Sequence, residues 1–386
     1  MTTPHHVLVV GGGYAGVLAA NRARHRLGRA DRVTLLSERD DLVHRVRLHE
    51  ALAGRASPAL PLDALLADGV AHVRARAIRL DGTRRSVTTA AGEVIVADAL
   101  VVALGSALSV PVPGAREHAM GLASPEAAAR AATTLRGLPT GAPVAVVGGS
   151  LTALEVASEI AEAHPHLAVT MVASRVGPTL SPKGVAYARA ALDALGVRVR
   201  EDVAVREVTA DAVMLSDGER LPAAMTVWAG GFTPAGASVD SDLVRDALGR
   251  FVVDADLGAR GLPGVFVAGD AAAPPPGMEF LRMGCASAMP MGAQAADNAA
   301  RHVAGKSTAA HGFGFIVQCL SFGRARGLVQ SLTPDDRALD RVVTGRAGAV
   351  IKETICRFVI GMIRAERLVG GAYQWPRSLR AAEALA

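Results

Sequence analysis

The chain has 386 residues, of which half are hydrophobic, a fifth are charged and 3% are aromatic, and its formal net charge is +5. This length favours two or three domains, and the balance of apolar and charged residues is that of a globular protein rather than a disordered one. So few aromatic residues argue against a surface that stacks single-stranded nucleic acid, and the positive charge is spread along the chain, so no nucleic-acid partner is expected.

The three cysteines, Cys285, Cys319 and Cys356, lie far apart and form no Cys-x-x-Cys pair. This spacing excludes a disulfide framework and a cysteine zinc site, and it is typical of a reducing compartment. No set of residues has metal-ligand spacing, so no metal is expected. Glycines and prolines interrupt the two longest apolar stretches, 7–20 and 99–115, so we expect a cytoplasmic protein.

The chain opens with an apolar run, a glycine-rich turn and an alanine-rich stretch over residues 7–27. Gly11, Gly13 and Gly16 place G-x-G-x-x-G between this predicted strand and helix. The first glycine permits a tight turn, the second lets a pyrophosphate approach the backbone, and the third allows close helix–strand packing. Glu38 follows the next apolar run, where a carboxylate can accept hydrogen bonds from a ribose diol. The segment therefore predicts a dinucleotide site.

Further along, residues 71–96 are predicted to form a hairpin-like unit with turns at Asp81-Gly82 and Ala91-Gly92. The apolar run 98–106 is predicted to be the strand that completes the first unit. Prolines and glycines then cluster at 111–114, which we interpret as a crossing between domains.

Residues 144–172 repeat the opening plan of strand, glycine turn, helix and strand, and such a repeat is typical of parallel sheets. The second turn is imperfect, because Ser150 and Ala153 stand at the second and third glycine positions after Gly148. No acidic residue ends the following strand. Ser174 and Arg175 stand there instead and can hold a 2′-phosphate, so NADPH is favoured over NADH.

Together these motifs resemble the two-dinucleotide flavoproteins, the family of glutathione reductase and the type II NADH dehydrogenases. The resemblance runs from Val7 to about Gly305 and rests on both glycine turns, the run 98–106 and Ala268-Gly269-Asp270. It implies that FAD is bound by the first unit and NAD(P)H by the second, with Asp270 at the ribityl chain. Segments 41–48 and 226–231 also resemble parts of type II NADH dehydrogenases, the flavin-lining segment and the strand that returns from the nicotinamide domain.

The expected fold is therefore α/β, with two Rossmann-like dinucleotide-binding domains, the second inserted in the first, and a C-terminal α+β segment. The expected domains are 1–110 with 237–310 for FAD, 111–236 for NAD(P)H, and 311–386 as an interface or membrane-surface segment.

The resemblance also implies site residues. Contacts with FAD are expected from Gly11, Gly13, Tyr14, Ala15, Gly16, Glu38, Arg39, Arg45, Ala77, Ala103, Leu104, Gly105, Gly269, Asp270, Pro290, Met291 and Gly292. Contacts with NAD(P)H are expected from Gly148, Ser150, Leu151, Ser174, Arg175 and Gly230. Glu155 and Arg45 are expected at the reacting centre. An alternative role for Glu155 is that of a first-turn carboxylate favoured by the helix dipole.

The electron acceptor is less defined by the sequence. Type II NADH dehydrogenases carry glutamines on the helix after the aspartate, and Ala286, Pro290 and Met291 stand there instead. We expect the N-terminus of this helix, near Pro290, to point at the flavin, and Cys285 to be a buried inert thiol. The acceptor is expected to be a quinone-like or other small aromatic molecule, or oxygen.

Residues 350–363 carry apolar side chains at helical spacing. Packing on the body of the protein or across a homodimer is favoured over contact with a membrane surface. Two other functions stay open, a biosynthetic flavoenzyme that makes little use of nicotinamide and a flavin-bearing redox sensor or partner-binding protein without turnover.

Overall fold

The computed structural model describes residues 4–55 and 57–381. Its helices are α1 Tyr14–Arg26, α2 Leu48–Leu52, α3 Ala115–His118, α4 Pro125–Gly137, α5 Leu151–Ala163, α6 Pro182–Asp193, α7 Cys285–Val303 and α8 Gly345–Leu368.

The strands in the first half of the chain are β1 His6–Val10, β2 Arg32–Ser37, β3 Asp41–Val43, β4 Ala59–Pro61, β5 Val70–Arg74, β6 Ala77–Asp81, β7 Ser86–Thr89, β8 Val94–Val96, β9 Ala99–Val102, β10 Ser106–Leu108, β11 Ala119–Gly121, β12 Pro143–Val147 and β13 Ala168–Val172. The later strands are β14 Arg198–Arg200, β15 Val205–Val208, β16 Ala212–Leu215, β17 Arg220–Pro222, β18 Met225–Trp228, β19 Phe232–Pro234, β20 Asp240–Ser241, β21 Val265–Val267, β22 Val317–Phe322, β23 Arg326–Leu332 and β24 Ala338–Thr344.

The first large sheet has the strand order β21-β9-β1-β2-β5, and all its pairs are parallel. Every residue of β1 and β9 is buried, as expected for a parallel sheet whose faces are both covered. Helix α1 connects β1 to β2 and packs on α7. This contact is close because a Cβ on Gly292 would lie 2.3 Å from the carbonyl oxygen of Ala15.

The second large sheet has the order β11-β18-β12-β13-β14 and is also parallel throughout. Helix α5 connects β12 to β13, so the repeated strand–helix–strand plan is present twice. The prediction of an α/β fold with two Rossmann-like units is confirmed. The strands of this sheet come from residues 119–228, between the parts of the chain that build the first sheet, while the exact domain boundaries stay predictions.

Two predicted elements differ from those in the structure. The run 98–106 is not one strand, because β9 ends at Val102 and the chain turns at Gly105 with φ +70°, a conformation that side chains other than glycine rarely adopt. Ser106 then starts β10, which pairs antiparallel with β19. The unit 71–96 is also not one hairpin, because β5 joins the parallel sheet beside β2 and only β6, β7 and β8 form the meander.

The C-terminal part contains a three-stranded antiparallel sheet, β22-β23-β24, and the long helix α8. The buried side of α8 carries Cys356, Val359, Ile360 and Ile363, so most of the predicted apolar stripe packs on the body of the protein. Val350, by contrast, is 66% exposed. None of the helices in residues 4–55 and 57–381 is long and apolar enough to cross a bilayer.

A buried ion pair fixes α8 against the first sheet's helix. The guanidinium of Arg22 on α1 donates from Nε and Nη2 to the two carboxylate oxygens of Glu366 on α8, over 2.8 and 3.0 Å, and its Nη2 also donates to the carbonyl oxygen of Tyr373. The two side chains are 1% and 0% exposed. A buried charge that loses its partner costs several kcal/mol, so this pair couples the position of α8 to that of α1.

Replacing Glu366 by glutamine is expected to lower the free energy of unfolding by about 2 kcal/mol, because the buried Arg22 loses its two-fold carboxylate partner, although it keeps the contact of its Nη1 with Asp297. The measurement is urea denaturation of the variant and of the wild type. Arg26→Gln is the matched control on the same helix. Its side chain is 47% exposed and pairs with Asp297, so its loss should cost less than about 1 kcal/mol. Equal effects of the two substitutions would contradict the assignment.

Candidate active site

One cavity of about 750 Å³ passes through the centre of the molecule. Its walls come from the glycine turn after β1, the loop after β9, the N-terminus of α7 and the segment 43–49. Its other end lies among α5, β22 and α8, which belong to the second unit and the C-terminal part. A cavity shared by all parts of the chain is the natural candidate for the functional site.

Most of the side chains predicted to contact the first cofactor line this cavity. They are Gly11, Gly13, Tyr14, Ala15, Glu38, Arg39, Arg45, Ala77, Ala103, Leu104, Gly105, Gly269 and Asp270, and Glu155 lines it as well. The other predicted site residues are outside its lining, namely Gly16, Pro290, Met291, Gly292, Gly148, Ser150, Leu151, Ser174, Arg175 and Gly230. The chemical roles of both groups stay predictions.

The glycine turn leaves room for a ligand at one position only. A Cβ added to Gly13 would meet nothing within 4 Å, whereas a Cβ on Gly16 would lie 1.8 Å from the carbonyl oxygen of Gly11. Gly16 therefore allows α1 to pack on the turn, and Gly13 borders open space in the cavity. The N-terminus of α1 begins at Tyr14 and adds the positive end of a helix dipole. This arrangement fits the pyrophosphate of a dinucleotide.

Asp270 is held at the cavity wall by neighbours on both sides. One carboxylate oxygen accepts a hydrogen bond from the hydroxyl of Ser106 at 2.6 Å, and the other accepts from the backbone N–H of Gly284 at 2.9 Å. Arg45 in turn donates to the hydroxyl and to the carbonyl oxygen of Ser106, at 3.1 and 2.6 Å. A carboxylate fixed in this way can accept a hydroxyl of a sugar or ribityl chain that enters the cavity.

At the opposite wall, Glu38 is exposed at the end of β2, as its predicted role requires. Arg39 beside it is engaged in protein contacts. Its guanidinium donates to both oxygens of Asp41, at 2.6 and 3.1 Å, and to both oxygens of Glu126 on α4, at 3.2 and 2.7 Å. The side-chain hydrogen bond from Arg39 lowers the pKa of Glu126 to about 2. Arg39 thus joins the first unit to the second in addition to lining the cavity.

The helix after Asp270 starts earlier than predicted. Helix α7 begins at Cys285, and Pro290 is inside it, so the expectation of a helix N-terminus near Pro290 was wrong. Gly284 carries the turn, and its backbone N–H bonds to Asp270, so the helix starts at that hydrogen bond. The cavity reaches the first four residues of this helix, Cys285 to Ala288, and not Pro290 or Met291.

The second glycine turn, Gly148-Gly149-Ser150, does not line the main cavity. Ser150 is exposed and is the residue before α5, where its side chain forms no capping hydrogen bond. A Cβ on Gly149 would lie 1.9 Å from the carbonyl oxygen of Arg175, so the end of β13 packs directly on the turn. The side chains of Ser174 and Arg175 are exposed beside it. The residues predicted for the nicotinamide nucleotide are therefore together, outside the main cavity.

A buried group of ionisable side chains closes the inner end of the cavity. The ammonium of Lys352 on α8 pairs with Glu155 on α5 and donates to the hydroxyl of Ser321 at 3.0 Å. The same oxygen of Glu155 accepts from the backbone N–H of Ser321 at 3.0 Å. Glu155 lies in the second turn of α5, so the alternative of a first-turn carboxylate was wrong. Attraction to Glu155 helps to raise the pKa of Lys352 despite the cost of burial, so the amine is charged.

Sequence reasoning missed Lys352, which is 5% exposed. The only signal was a single lysine within the apolar stripe 350–363, on the side of the helix that faces the protein. Its partner lies almost 200 positions earlier in the chain and no spacing rule connects the two.

The three cysteines, scattered in the sequence, all line the cavity. Burial raises the pKa of Cys285 to about 11 and that of Cys319 to about 12, and it also raises the pKa of Cys356. Thiols with such pKa values are protonated at neutral pH and are weak nucleophiles.

Tyr14 is fixed at the cavity wall by a second buried side chain. Its hydroxyl is 2.8 Å from Nδ1 of His44, and the two rings meet edge to face. Burial lowers the pKa of His44 to about 4, so the imidazole is neutral and its Nδ1 accepts a hydrogen bond from the hydroxyl of Tyr14. This contact keeps the aromatic ring in place beside the glycine turn.

The comparisons with known proteins agree with this geometry. The family model described as pyridine nucleotide-disulphide oxidoreductase matches residues 5–301. An NADH dehydrogenase-like protein of Mycobacterium tuberculosis is 34% identical over 319 residues, which are 76% of this chain and 79% of that protein. An NADH dehydrogenase-like protein of Bacillus subtilis is 27% identical over 170 residues, covering 42% of this chain and 46% of its own.

Among solved structures, the sulfide:quinone oxidoreductase of Aquifex aeolicus superposes with a TM-score of 0.80 at 19% identity, over 94% of this chain and 92% of that one. A ferredoxin reductase of Rhodopseudomonas palustris gives a TM-score of 0.71 at 21% identity, over 85% and 82% of the two chains. At these identities the likeness concerns the fold alone.

The two glycines of the first turn should respond differently to alanine. Gly13→Ala is expected to keep the wild-type thermal unfolding temperature of the cofactor-free protein and to lose bound flavin, because its methyl group occupies only ligand space. Gly16→Ala should destabilise the cofactor-free protein itself, because its methyl group meets backbone atoms. The measurements are the flavin-to-protein ratio after purification and thermal unfolding. A Gly13→Ala variant that retains flavin fully would contradict the proposed position of the pyrophosphate.

Proposed function

The chain belongs to the pyridine nucleotide-disulphide oxidoreductase family, and from this premise we propose that it passes electrons from NADPH, through FAD, to a quinone-like acceptor at the inner end of the cavity. Proteins of this family bind FAD and use NADH or NADPH, so the chain is an FAD-dependent NAD(P)H oxidoreductase. The nicotinamide preference, the acceptor and the residue roles below are the proposal.

FAD, when bound, supplies the chemistry of accepting a hydride from a reduced nicotinamide and giving up two electrons. We assign its pyrophosphate to Gly13 and the N-terminus of α1, its adenosine ribose to Glu38, and its ribityl chain to Asp270. Arg45 positions Asp270 through Ser106, as their hydrogen bonds indicate.

The observation that carries the proposed acceptor is the ion pair of Lys352 and Glu155 at the inner end of the cavity, where His49 and apolar side chains also line the wall. Phe315, Val317 and Ile355 also line the cavity, and they suit a flat, apolar ring. The ammonium of Lys352 can donate a hydrogen bond to a ring carbonyl oxygen. A quinone combines these two properties, and the protein of similar fold from Aquifex aeolicus is a sulfide:quinone oxidoreductase.

A thiol relay is a weaker account of the same cavity. It would need a thiolate, and burial keeps Cys285 and Cys319 protonated at neutral pH. All three cysteines are free. These protonated thiols therefore favour direct transfer to a small acceptor over transfer through protein sulfur.

Reduction of a quinone to a quinol requires two electrons and two protons. A hydride carries both electrons and one proton, so one further proton must come from the protein. The Lys352 ammonium lines the cavity and can give up a proton, which the guanidinium groups in the lining cannot, and Glu155 beside it holds the charge that remains. Proton transfer by a positioned side chain typically contributes a factor of about 100 or more to a rate.

The preference for NADPH rests on the surroundings of the second glycine turn. The Arg175 side chain is exposed there and makes no hydrogen bond or ion pair within the described ranges 4–55 and 57–381. The nearby carboxylate of Glu201 accepts from the backbone N–H of Val176 at 2.8 Å and pairs with Arg189, so it is not free for a ribose diol. A free cation beside an engaged carboxylate favours a 2′-phosphate.

The exposed side of α8 is the part of the molecule that would meet a second copy or a membrane surface. Val350 and Phe358 are 66% and 56% exposed on it, and Arg357 and Arg364 are exposed on the same helix. We propose this side as the contact surface through which a lipid-soluble acceptor would be reached, with a homodimer contact as the alternative.

Lys352→Met is expected to slow electron transfer to a soluble quinone by about 100-fold and to leave flavin bleaching by NADPH unchanged, since only the second step takes a proton from this side chain. Double-mixing stopped flow separates the two steps. Lys306→Met is the matched control, because this lysine is exposed. The double variant Glu155→Gln/Lys352→Met leaves no unpaired buried charge, and its electron transfer to the quinone should be as slow as that of Lys352→Met.

Several results would count against this function. Unchanged quinone reduction in Lys352→Met would overturn the role of this lysine. A wild-type protein that is bleached by NADPH yet reoxidised by no quinone would favour the slow redox sensor. Absence of bleaching by either nucleotide would favour a flavoenzyme with a substrate of its own.

Arg175→Ser is expected to lower the preference for NADPH over NADH by about tenfold or more, because a charge-assisted hydrogen bond to phosphate contributes about 1.5–3 kcal/mol. The measurement is the dependence of the flavin bleaching rate on the concentration of each nucleotide. Arg130→Ser, an exposed arginine on α4, controls for the loss of positive charge. An unchanged preference would show that Arg175 does not contact the nucleotide.

A further inference from the structure

His49 occupies an unusual place behind the ion pair of the cavity. It is 2% exposed, it lines the same cavity, and it follows Leu48 at the start of α2. Its Nε2 is 3.4 Å from Nζ of Lys352 and 3.5 Å from the hydroxyl of Ser321. A buried imidazole in contact with a lysine ammonium is unexpected for packing alone, since a leucine would fill the space without a polar cost.

The neighbours of His49 determine which of its two ring nitrogens carries the proton. Lys352 can only donate, so Nε2 accepts and the ring proton is on Nδ1. That nitrogen is 3.7 Å from Oε2 of Glu155. Nε2 also faces Oε1 of Glu50, at 3.9 Å. The ring therefore lies between two carboxylates, that of Glu155 at the cavity and that of Glu50, the outer carboxylate, on the side away from it.

The outer carboxylate connects to the protein surface. Glu50 accepts from Nη1 of Arg47 at 3.0 Å and pairs with Nη1 of Arg324 at 3.1 Å. Arg47 in turn donates to Glu353, whose side chain is 38% exposed. Glu50, whose side chain is 11% exposed, thus lies between His49 and the surface of the protein.

Each element packed against His49 presents a charged group to it. Its own helix and the turn before it contribute Glu50 and Arg47, and α5 contributes Glu155. The turn after β22 contributes Arg324, and α8 contributes Lys352. Burial is the first cause that lowers the pKa of His49, and Lys352 is the largest charge effect, so the ring is neutral while Lys352 is charged.

We propose that His49 relays protons from Glu50 to Lys352 each time Lys352 has protonated the acceptor. The proposal rests on the proposed function and names the proton supply of that same site. The N–H bond of Lys352 breaks as the O–H bond of the quinol forms. The carboxylate of Glu50 takes up a proton from solvent and passes it to Nε2, to which the neutral amine no longer donates, and Nε2 passes it on to Nζ. Glu50 is then a carboxylate again, and both electrons come from NADPH.

The geometry explains why the direction is inward. A charged Lys352 disfavours a second positive charge on His49, and this repulsion disappears when the lysine is neutral. The Nδ1–H faces Glu155, whose carboxylate stabilises the imidazolium that forms in between, as an acidic partner does for a general-base histidine. After the transfer the ring is again neutral, with its proton on Nδ1.

The first test does not depend on turnover. In the FAD-loaded protein, ¹H–¹⁵N correlation spectra of the histidine rings should show His49, identified by its loss in His49→Gln, as a neutral imidazole with its proton on Nδ1 at pH 7. A protonated imidazolium, or the tautomer with its proton on Nε2, would overturn the relay.

The second test separates the steps of the reaction. His49→Gln should slow quinone reduction by at least about tenfold, raise its solvent deuterium isotope effect, and leave flavin bleaching by NADPH unchanged. His49→Ala should recover part of the rate when imidazole is added, which a purely structural role would not allow. His164→Gln is the control, because His164 is also buried but lies at the far end of α5.

The outcomes distinguish the relay from the function on which it rests. If the wild type reduces no quinone, the proposed acceptor fails, while the ring spectra still report on the His49 tautomer. If the wild type reduces quinones and His49→Gln does so at the same rate with the same isotope effect, the relay is wrong and the proposed function stands.

Discussion

The ion pair between Lys352 and Glu155 is the interaction on which the arrangement of this molecule depends. Each of the two charges is nearly buried, and either one alone would cost several kcal/mol, so the fold must bring α8 within side-chain reach of α5. Their meeting places the C-terminal helix across the end of a cavity whose other walls come from the first dinucleotide unit. The ion pair of Arg22 and Glu366 fixes the other end of the same helix. Together they join three parts of the chain around one site.

Within that site the sequence separates positions that serve the fold from positions that serve a ligand. Gly16 and Gly292 allow backbones to approach each other, and the space beside Gly13 is left for a cofactor. Asp270 is held by Ser106 and by Gly284, so its orientation is set before anything binds. A site with polar groups fixed in advance loses little free energy in ordering itself when the cofactor arrives.

Local sequence patterns were sufficient to predict the fold and one part of the site. The two glycine turns, the strands that flank them and the acidic Asp270 are each encoded within about a dozen residues, so the α/β fold and the part of the cavity lining next to the first glycine turn and Asp270 could be predicted. The inner end of the cavity could not, because Lys352 and His49 meet Glu155 only through tertiary packing. The start of α7 was also misplaced, since Pro290 is the sixth residue of this helix, an interior position where proline is normally disfavoured because it lacks a backbone N–H.

The most direct test of the account is a crystal structure of the FAD-loaded protein with a bound quinone. We expect the dinucleotide along the cavity with its pyrophosphate at Gly13, and a quinone carbonyl oxygen within hydrogen-bond distance of Nζ of Lys352. A quinone bound elsewhere, with Lys352 and Glu155 still paired and out of contact with ligand, would contradict the claim that this ion pair is the proton donor of the acceptor site.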